Sequence, residues 1–248
     1  MNDAPGFILS ALLGAALGSF ANVCILRLPQ GESVVRPRSR CPRCQKSIRW
    51  HDNIPLFSFF FLRGRCRFCK ASISLQYPLV EGTSALLAVG LYALLGGSLS
   101  FGVYLYFLLS LLVIVVIDAR HQIIPDLLTL PGMGVGLGSS FFLPTGSPLQ
   151  SFLGCLIGGG SLYLVAFIYR SLRGMEGLGG GDVKLLAMIG SFLGVFGAFL
   201  TLFIGSLLGS LVGLLLWIRY RKGLKTAIPF GPFLSIAAAI ILFWGEKG

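Results

Sequence analysis

Charge is scarce in this sequence, and negative charge scarcest of all. Only 12% of the residues are charged, and 9 carboxylates stand against 20 lysines and arginines. A soluble domain carries about twice that charge, so an ordinary water-soluble domain is excluded. Histidine is nearly missing. His51 and His121 are the only two, and neither adjoins a nucleophile in a hydrolase-like motif, which removes a Ser/His/Asp or Cys/His centre from consideration. No glycine-rich loop follows a strand, so a Rossmann-type cofactor site has no support. The start, Met1-Asn-Asp3, lacks a basic region and a cleavage site, and the first apolar run therefore reads as a retained anchor. Low-complexity tails and long polar linkers are missing too.

What is present is hydrophobic residue, 55% of the chain, arranged in runs near the roughly 20 residues that cross a bilayer core of about 30 Å. Eight spans are expected at 6–26, 79–96, 101–117, 127–143, 149–169, 184–197, 199–218 and 228–244, the sixth the shortest. Turn residues such as Gly96-Gly97-Ser98 and Ile228-Pro229 separate them. The fold class is thus an all-α polytopic membrane protein of about eight helices, with a small insertion between the first and second.

The net charge of +11 suggests nucleic acid until its placement is read. Eleven basic residues lie between Arg27 and Lys70, and eight more fall in the loops that even span counting puts on the same side. Only Lys247 is left over. That asymmetry makes 27–78 cytoplasmic and predicts attraction to membrane lipid, not nucleic acid. Small residues repeat every fourth position at Gly14/Gly18, Gly154/Gly158 and Gly205/Gly209/Gly213, the pattern of closely packed helix faces.

Two Cys-x-x-Cys pairs, Cys41/Cys44 and Cys66/Cys69, stand 21 residues apart in the insertion. Four thiolates close a tetrahedral site with no open position, which suits structural zinc rather than a catalytic metal. A reducing compartment disfavours the alternative of disulfides. Cys24 and Cys155 lie in apolar runs and read as buried small hydrophobes.

Among the few carboxylates, Asp3, Glu32, Asp52, Glu176 and Glu246 belong to polar ends and loops. Glu81 starts the second span, either as a helix N-terminal charge or as a functional group. Asp126 follows Ile124-Pro125 and is expected to cap the fourth span. Asp118 ends the run Leu111–Ile117, and Asp182 follows Gly179-Gly180-Gly181 at the start of the sixth span. Ionisable groups at such positions are costly and usually functional. Brought together, two carboxylates share one proton and divide the roles of base and acid. The competing reading is a helix cap plus an interfacial ion pair with Arg120 or Lys184.

The stretch Asp118-Ala-Arg-His-Gln-Ile-Ile-Pro125-Asp126 resembles the first aspartate motif of type IV prepilin peptidases. Gly179-Gly-Gly181-Asp182-Val-Lys184 is similar to their Gly-x-Gly-Asp motif. Residues Gly18–Pro29 resemble the family's opening signature, with Ala21 where Leu is more familiar. Ser39–Cys44, Asp52–Pro55, Arg63–Cys66 and Tyr77–Glu81 resemble its cytoplasmic domain. The resemblance implies a multi-pass inner-membrane aspartyl endopeptidase that removes the basic leader of prepilins and pseudopilins at the cytoplasmic face. It implies Asp118 and Asp182 as catalytic residues, with Pro125, Asp126, Gly179, Gly181 and Lys184 as supporting motif. It also implies N-methylation of the new terminus with S-adenosylmethionine, for which Asn22, Arg27 and Glu81 are candidates. Three regions are expected: 1–28 as first helix, 29–78 as the four-Cys zinc domain, and 79–248 as the seven-helix peptidase domain. Two rivals stand beside this: a proton-coupled transporter, which would show inverted repeats and mid-membrane carboxylates, and a non-enzymatic zinc-ribbon scaffold of a secretion or pilus machine.

Overall fold

The computed structural model describes residues 3–36, 39–144, 146–174, 179–220 and 228–245, without the side chains of Trp50, Arg173 and Tyr220. The loop charges Arg38, Glu176, Arg221, Lys222 and Lys225, and the terminal Glu246 and Lys247, lie outside the described residues. Within them the chain is helical: α1 (Ala4–Arg27), α2 (Phe57–Phe61), α3 (Gln76–Leu95), α4 (Leu99–His121), α5 (Asp126–Ser139), α6 (Pro148–Arg173), α7 (Gly180–Tyr220) and α8 (Gly231–Gly245). Short 3-10 turns occupy Leu28–Gln30 and Trp50–Asn53, and two isolated antiparallel bridges are the only β pairing among the described residues. The chain divides inside α4 into two compact units, Met1–Val113 and Ile114–Gly248.

In the first unit α1 and α3 run antiparallel, and glycine sets how closely they approach. A Cβ added to Gly14 would stand 2.5 Å from the Ser84 carbonyl, and one added to Gly18 would stand 2.9 Å from the Glu81 Cα. At the far end of the pair the Tyr92 hydroxyl donates to Asp3 across 2.6 Å, and its ring meets Phe7 edge-on at 5.3 Å. The small-residue spacing therefore marks a packing face, as the sequence suggests.

The second unit is built on α7, which is 41 residues long and contains Gly194 at φ 69° and ψ −174°, a conformation almost confined to glycine. A Cβ on Gly158 of α6 would lie 2.8 Å from the Leu186 carbonyl and 3.3 Å from the Ala198 Cβ. A straight helix would hold positions 186 and 198 about 18 Å apart. The chain therefore reverses at Gly194, and the two arms of α7 cover the sixth and seventh expected apolar runs. Ser151 holds the bend by donating to the Ser191 carbonyl at 2.5 Å. The first arm receives Gly132 and Gly136 of α5 against Met188 and Ser191, and the second packs Gly205 and Gly209 against Leu234 and Phe233 of α8.

Eight helical segments thus stand at the eight expected places. Five helices are long and apolar enough to cross a membrane: α1, α3, α4, α6 and α7. α5 has 14 residues with Pro131 inside it, and α8 has 15, about 21 and 23 Å at 1.5 Å per residue and so shorter than a full crossing. The insertion differs from expectation in one respect. It holds the short helix α2, where the sequence reading has only loop.

Candidate functional site

Asp118 sits on the last turn of α4, 5% exposed. The reason it can be buried there is a backbone donor: the N–H of Gly231, the first residue of α8, lies 3.0 Å from its Oδ2. Glycine leaves that oxygen its room, because a Cβ would stand 2.6 Å from it and the carboxylate would have to shift. Asp182 occupies the first turn of α7, half-buried. Ile124 knits the three elements together. A Cβ on Gly181 would meet its Cβ at 2.9 Å, and one on Gly231 would meet its Cδ1 at 3.1 Å. The Gly179-Gly180-Gly181 run thus lets the start of α7 approach the segment after α4. Two carboxyl groups on segments that meet at Ile124, one of them fixed by a backbone donor, can divide base and acid roles toward a water molecule.

Asp126 is not the cap it is expected to be. α5 begins at Asp126 itself with Pro125 at the cap position, and no side chain caps it. Its carboxylate instead takes both hydrogen bonds from Lys184 Nζ, each 2.7 Å. The partner lies 58 residues away, beyond the reach of a local capping rule. Lys184 is thereby matched to Asp126, not to Asp182 or Asp118 as the ion-pair alternative had it.

In the first unit the four expected cysteines converge. Their Sγ atoms all lie within 4.8 Å of one another, and Cys41 and Cys69 are 3.8 Å apart. Tetrahedral Zn–S bonds of about 2.3 Å put sulfurs about 3.8 Å apart, so the set fits zinc. The two knuckles repeat one design. Cys41 N–H donates to the Lys46 carbonyl and Cys66 N–H to that of Ala71, while Gln45 and Lys70 turn with φ of 56° and 58°. The N–H groups of Cys69 and Phe68 face the Cys66 sulfur and bring its thiol down to about 7. At Cys69 the Ala71 N–H acts to lower the thiol, but burial and the sulfurs around it push it up to about 11. Asp52 braces the cluster through a two-pronged bond to Arg67, 2.6–3.0 Å, and that guanidinium holds its carboxyl below the usual range. Lys46 and Arg49 flank the Phe68 ring at 4.9 and 5.5 Å.

Comparison with known proteins decides the family. Residues 12–95 match the bacterial peptidase A24 N-terminal domain, and residues 105–214 match the type IV leader peptidase family. The prepilin leader peptidase/N-methyltransferase of Pseudomonas putida is 36% identical, with 100% of this chain and 93% of that protein covered. Proteins of the same name from Pseudomonas aeruginosa and Dichelobacter nodosus are 38% and 35% identical, over 97% and 98% of this chain and 91% and 93% of theirs. The chain belongs to the prepilin leader peptidase/N-methyltransferase family. No solved structure gives a significant match.

The A24 N-terminal segment of this family member contains Asn22, Arg27, Glu81 and the four cysteines. Asn22 is 1% exposed and fully engaged: its amide donates to the carbonyls of Gly18 and Tyr77 and accepts from Gln76 Nε2. It locks α1 to α3. Glu81, 7% exposed, accepts the Leu56 N–H at 2.8 Å, with Ser19 as a further partner. Arg27 donates to the Ser33 carbonyl. All three lie at the same end of the α1/α3 pair. The leader-peptidase segment holds Asp118, Pro125, Asp126, Gly179, Gly181, Asp182 and Lys184. Gly231 and Ile124 have no place in the sequence-based site. Gly231 contributes only a backbone N–H, and its one trace in the sequence is a glycine two residues after Pro229.

Proposed function

We propose that the chain is a membrane aspartyl endopeptidase that removes the basic leader of type IV prepilins or pseudopilins and N-methylates the residue exposed. The hydrogen bond from Gly231 to Asp118, with Gly181 beside Asp182 packed on the same Ile124 that Gly231 meets, is the observation that supports the reading. One carboxylate takes a proton from water, whose oxygen attacks the scissile carbonyl carbon. The other donates a proton to the carbonyl oxygen, and the tetrahedral species collapses with protonation of the leaving nitrogen and cleavage of the C–N bond. Pro125, Gly179 and Gly181 shape the approach of the two segments. Asp126 and Lys184 clasp α5 to α7.

A groove of about 340 Å³ is lined by Ser206, Gly209, Ser210, Ile228, Phe233 and Phe230, the last being the residue before Gly231. Its small and aromatic lining suits an apolar substrate helix entering from the bilayer. Cys41, Cys44, Cys66 and Cys69 would hold one structural Zn²⁺, which orders the insertion and takes no part in a step. S-adenosylmethionine would supply an electrophilic methyl group on sulfur. Arg27, at the end of α1, would meet the carboxylate of S-adenosylmethionine, while Glu81 and Asn22 are already engaged by Leu56 and by Gly18, Tyr77 and Gln76 and would shape the site. The division into first helix, four-Cys domain and peptidase domain at 28 and 78 belongs to this reading. So do the inner-membrane location and a cytoplasmic site, which the basic loops support.

The test uses purified protein, a prepilin peptide carrying its leader, and S-adenosylmethionine, followed by mass spectrometry. Loss of the leader together with gain of one methyl group is expected. An unchanged substrate mass overturns the proposal.

A further inference from the structure

Among the described residues, α2 presents an apolar face that is largely open, with the neighbouring Phe59 ring meeting Phe60 edge-on at 6.1 Å. Phe57, Phe60 and Phe61 are 71%, 72% and 85% exposed, and their spacing puts them on one side of a helix. The other side is the anchored one. Ser58 Oγ donates to the His51 carbonyl at 3.0 Å, and Phe59 rests against Gly64, where a Cβ would meet its ring at 3.1 Å. Side-chain packing therefore holds the helix with its three phenylalanines facing outward.

Its depth is set by Glu81. The Leu56 N–H, one residue before α2, donates to Glu81 Oε2, and Glu81 lies five residues past the start of α3. That is about 7.5 Å along a helix, inside one of the five full-length candidate spans. Leu56 is bent into a γ-turn to reach it, with φ 62° and ψ −54° and Phe57 N–H donating to the Pro55 carbonyl at 2.7 Å. A non-glycine residue holds such a conformation only when its surroundings impose it. The tether thus keeps α2 level with the end of a membrane span rather than out in water.

We propose that α2 is a membrane wedge, with Phe57, Phe60 and Phe61 entering the acyl region of an anionic leaflet and the basic residues around them meeting headgroup phosphates. Arg63 and Arg65 follow α2 directly and are exposed. The insertion has only Glu32 and Asp52 as acids, and Asp52 is bound to Arg67. Exposed apolar side chains followed directly by exposed arginines suit an interfacial helix on an anionic leaflet. A second copy of this chain is the less suitable occupant, because it would bring the same excess of positive charge, +11 per chain.

The test places Phe60→Trp in the full chain with Trp50, Trp217 and Trp244 replaced by Phe, reconstituted in phosphatidylcholine vesicles with and without phosphatidylglycerol. Brominated acyl chains are expected to remove roughly half the emission, as for a ring lying about 5–10 Å below the headgroups. Aqueous iodide should have little effect, and high salt should weaken the lipid quenching. Iodide quenching without bromine quenching overturns the proposal. So does shielding that grows with protein-to-lipid ratio, which means a second copy, or that arises only when prepilin is added. The unaltered protein gives an independent reading. A photoactivatable apolar phospholipid should label residues 57–61, and a clean peptide there also overturns the wedge.

Discussion

Gly231 donates its backbone N–H to Asp118 Oδ2 across 3.0 Å, joining the start of α8 to the end of α4 over 113 residues of chain. The bond gives a buried carboxylate the partner it needs, and it uses the one residue type with no Cβ to clash. Replacing Gly231 by Ala keeps the donor but puts a methyl group 2.6 Å from the oxygen, so the carboxylate has to move. Cleavage by Gly231→Ala is expected to slow about 10²-fold, the usual loss when one placed polar group is disturbed, with folding intact by size exclusion and circular dichroism. Single-turnover kinetics check it, and an unchanged rate removes Gly231 from the site.

The four-cysteine cluster predicts one zinc per chain. Metal analysis of the purified protein should find it, and Cys66→Ser should reduce it severalfold. Cobalt substitution should give the thiolate charge-transfer bands of an S₄ site. An insertion of this size has little core of its own, so the metal-free variant should lose protection from protease between residues 39 and 75.

Asp52 gives the same region a pH dependence. Its folded-state carboxyl is held below the usual range by Arg67. The stabilisation is therefore complete above the unfolded value near 3.9 and is lost as pH falls through the lower, folded value. Thermal melts of the wild type should fall through that acid window, and Asp52→Asn should start lower and lack this part of the fall. Parallel curves at all pH values contradict the assignment.

The Asp126–Lys184 pair predicts a small effect. Both side chains are substantially exposed, 54% and 41%, and such pairs contribute about 0.2–1 kcal/mol. A double-mutant cycle with Asp126→Ala and Lys184→Ala should return a coupling in that range. Several kcal/mol would mean that the pair does more than clasp two helices.

The parts of the site legible in the sequence are those written in side chains. Asp118, Asp182 and the four cysteines are rare residue types in conspicuous places; the structure brings the cysteines together and sets the two aspartates on segments that Ile124 and Gly231 link. Asp126 misled because capping is judged from neighbours, whereas Lys184 arrives from another helix. Gly231 could not be seen because a backbone N–H has no letter of its own. The sequence places a break between 197 and 199, a few residues beyond the reversal at Gly194, where dense glycines blur the position of the bend. α2 went unread because five residues are too few to show a period, and its role depends on the distant Glu81.

The most direct test of the paired-carboxylate account is the cleavage rate of Asp118→Asn and Asp182→Asn, each reconstituted in lipid with a prepilin peptide. Substitution of either member of an acid/base pair should lower the rate at least about 10³-fold, with zinc content and folding unchanged and the double variant no worse than either single one. Wild-type cleavage by either variant would contradict the account.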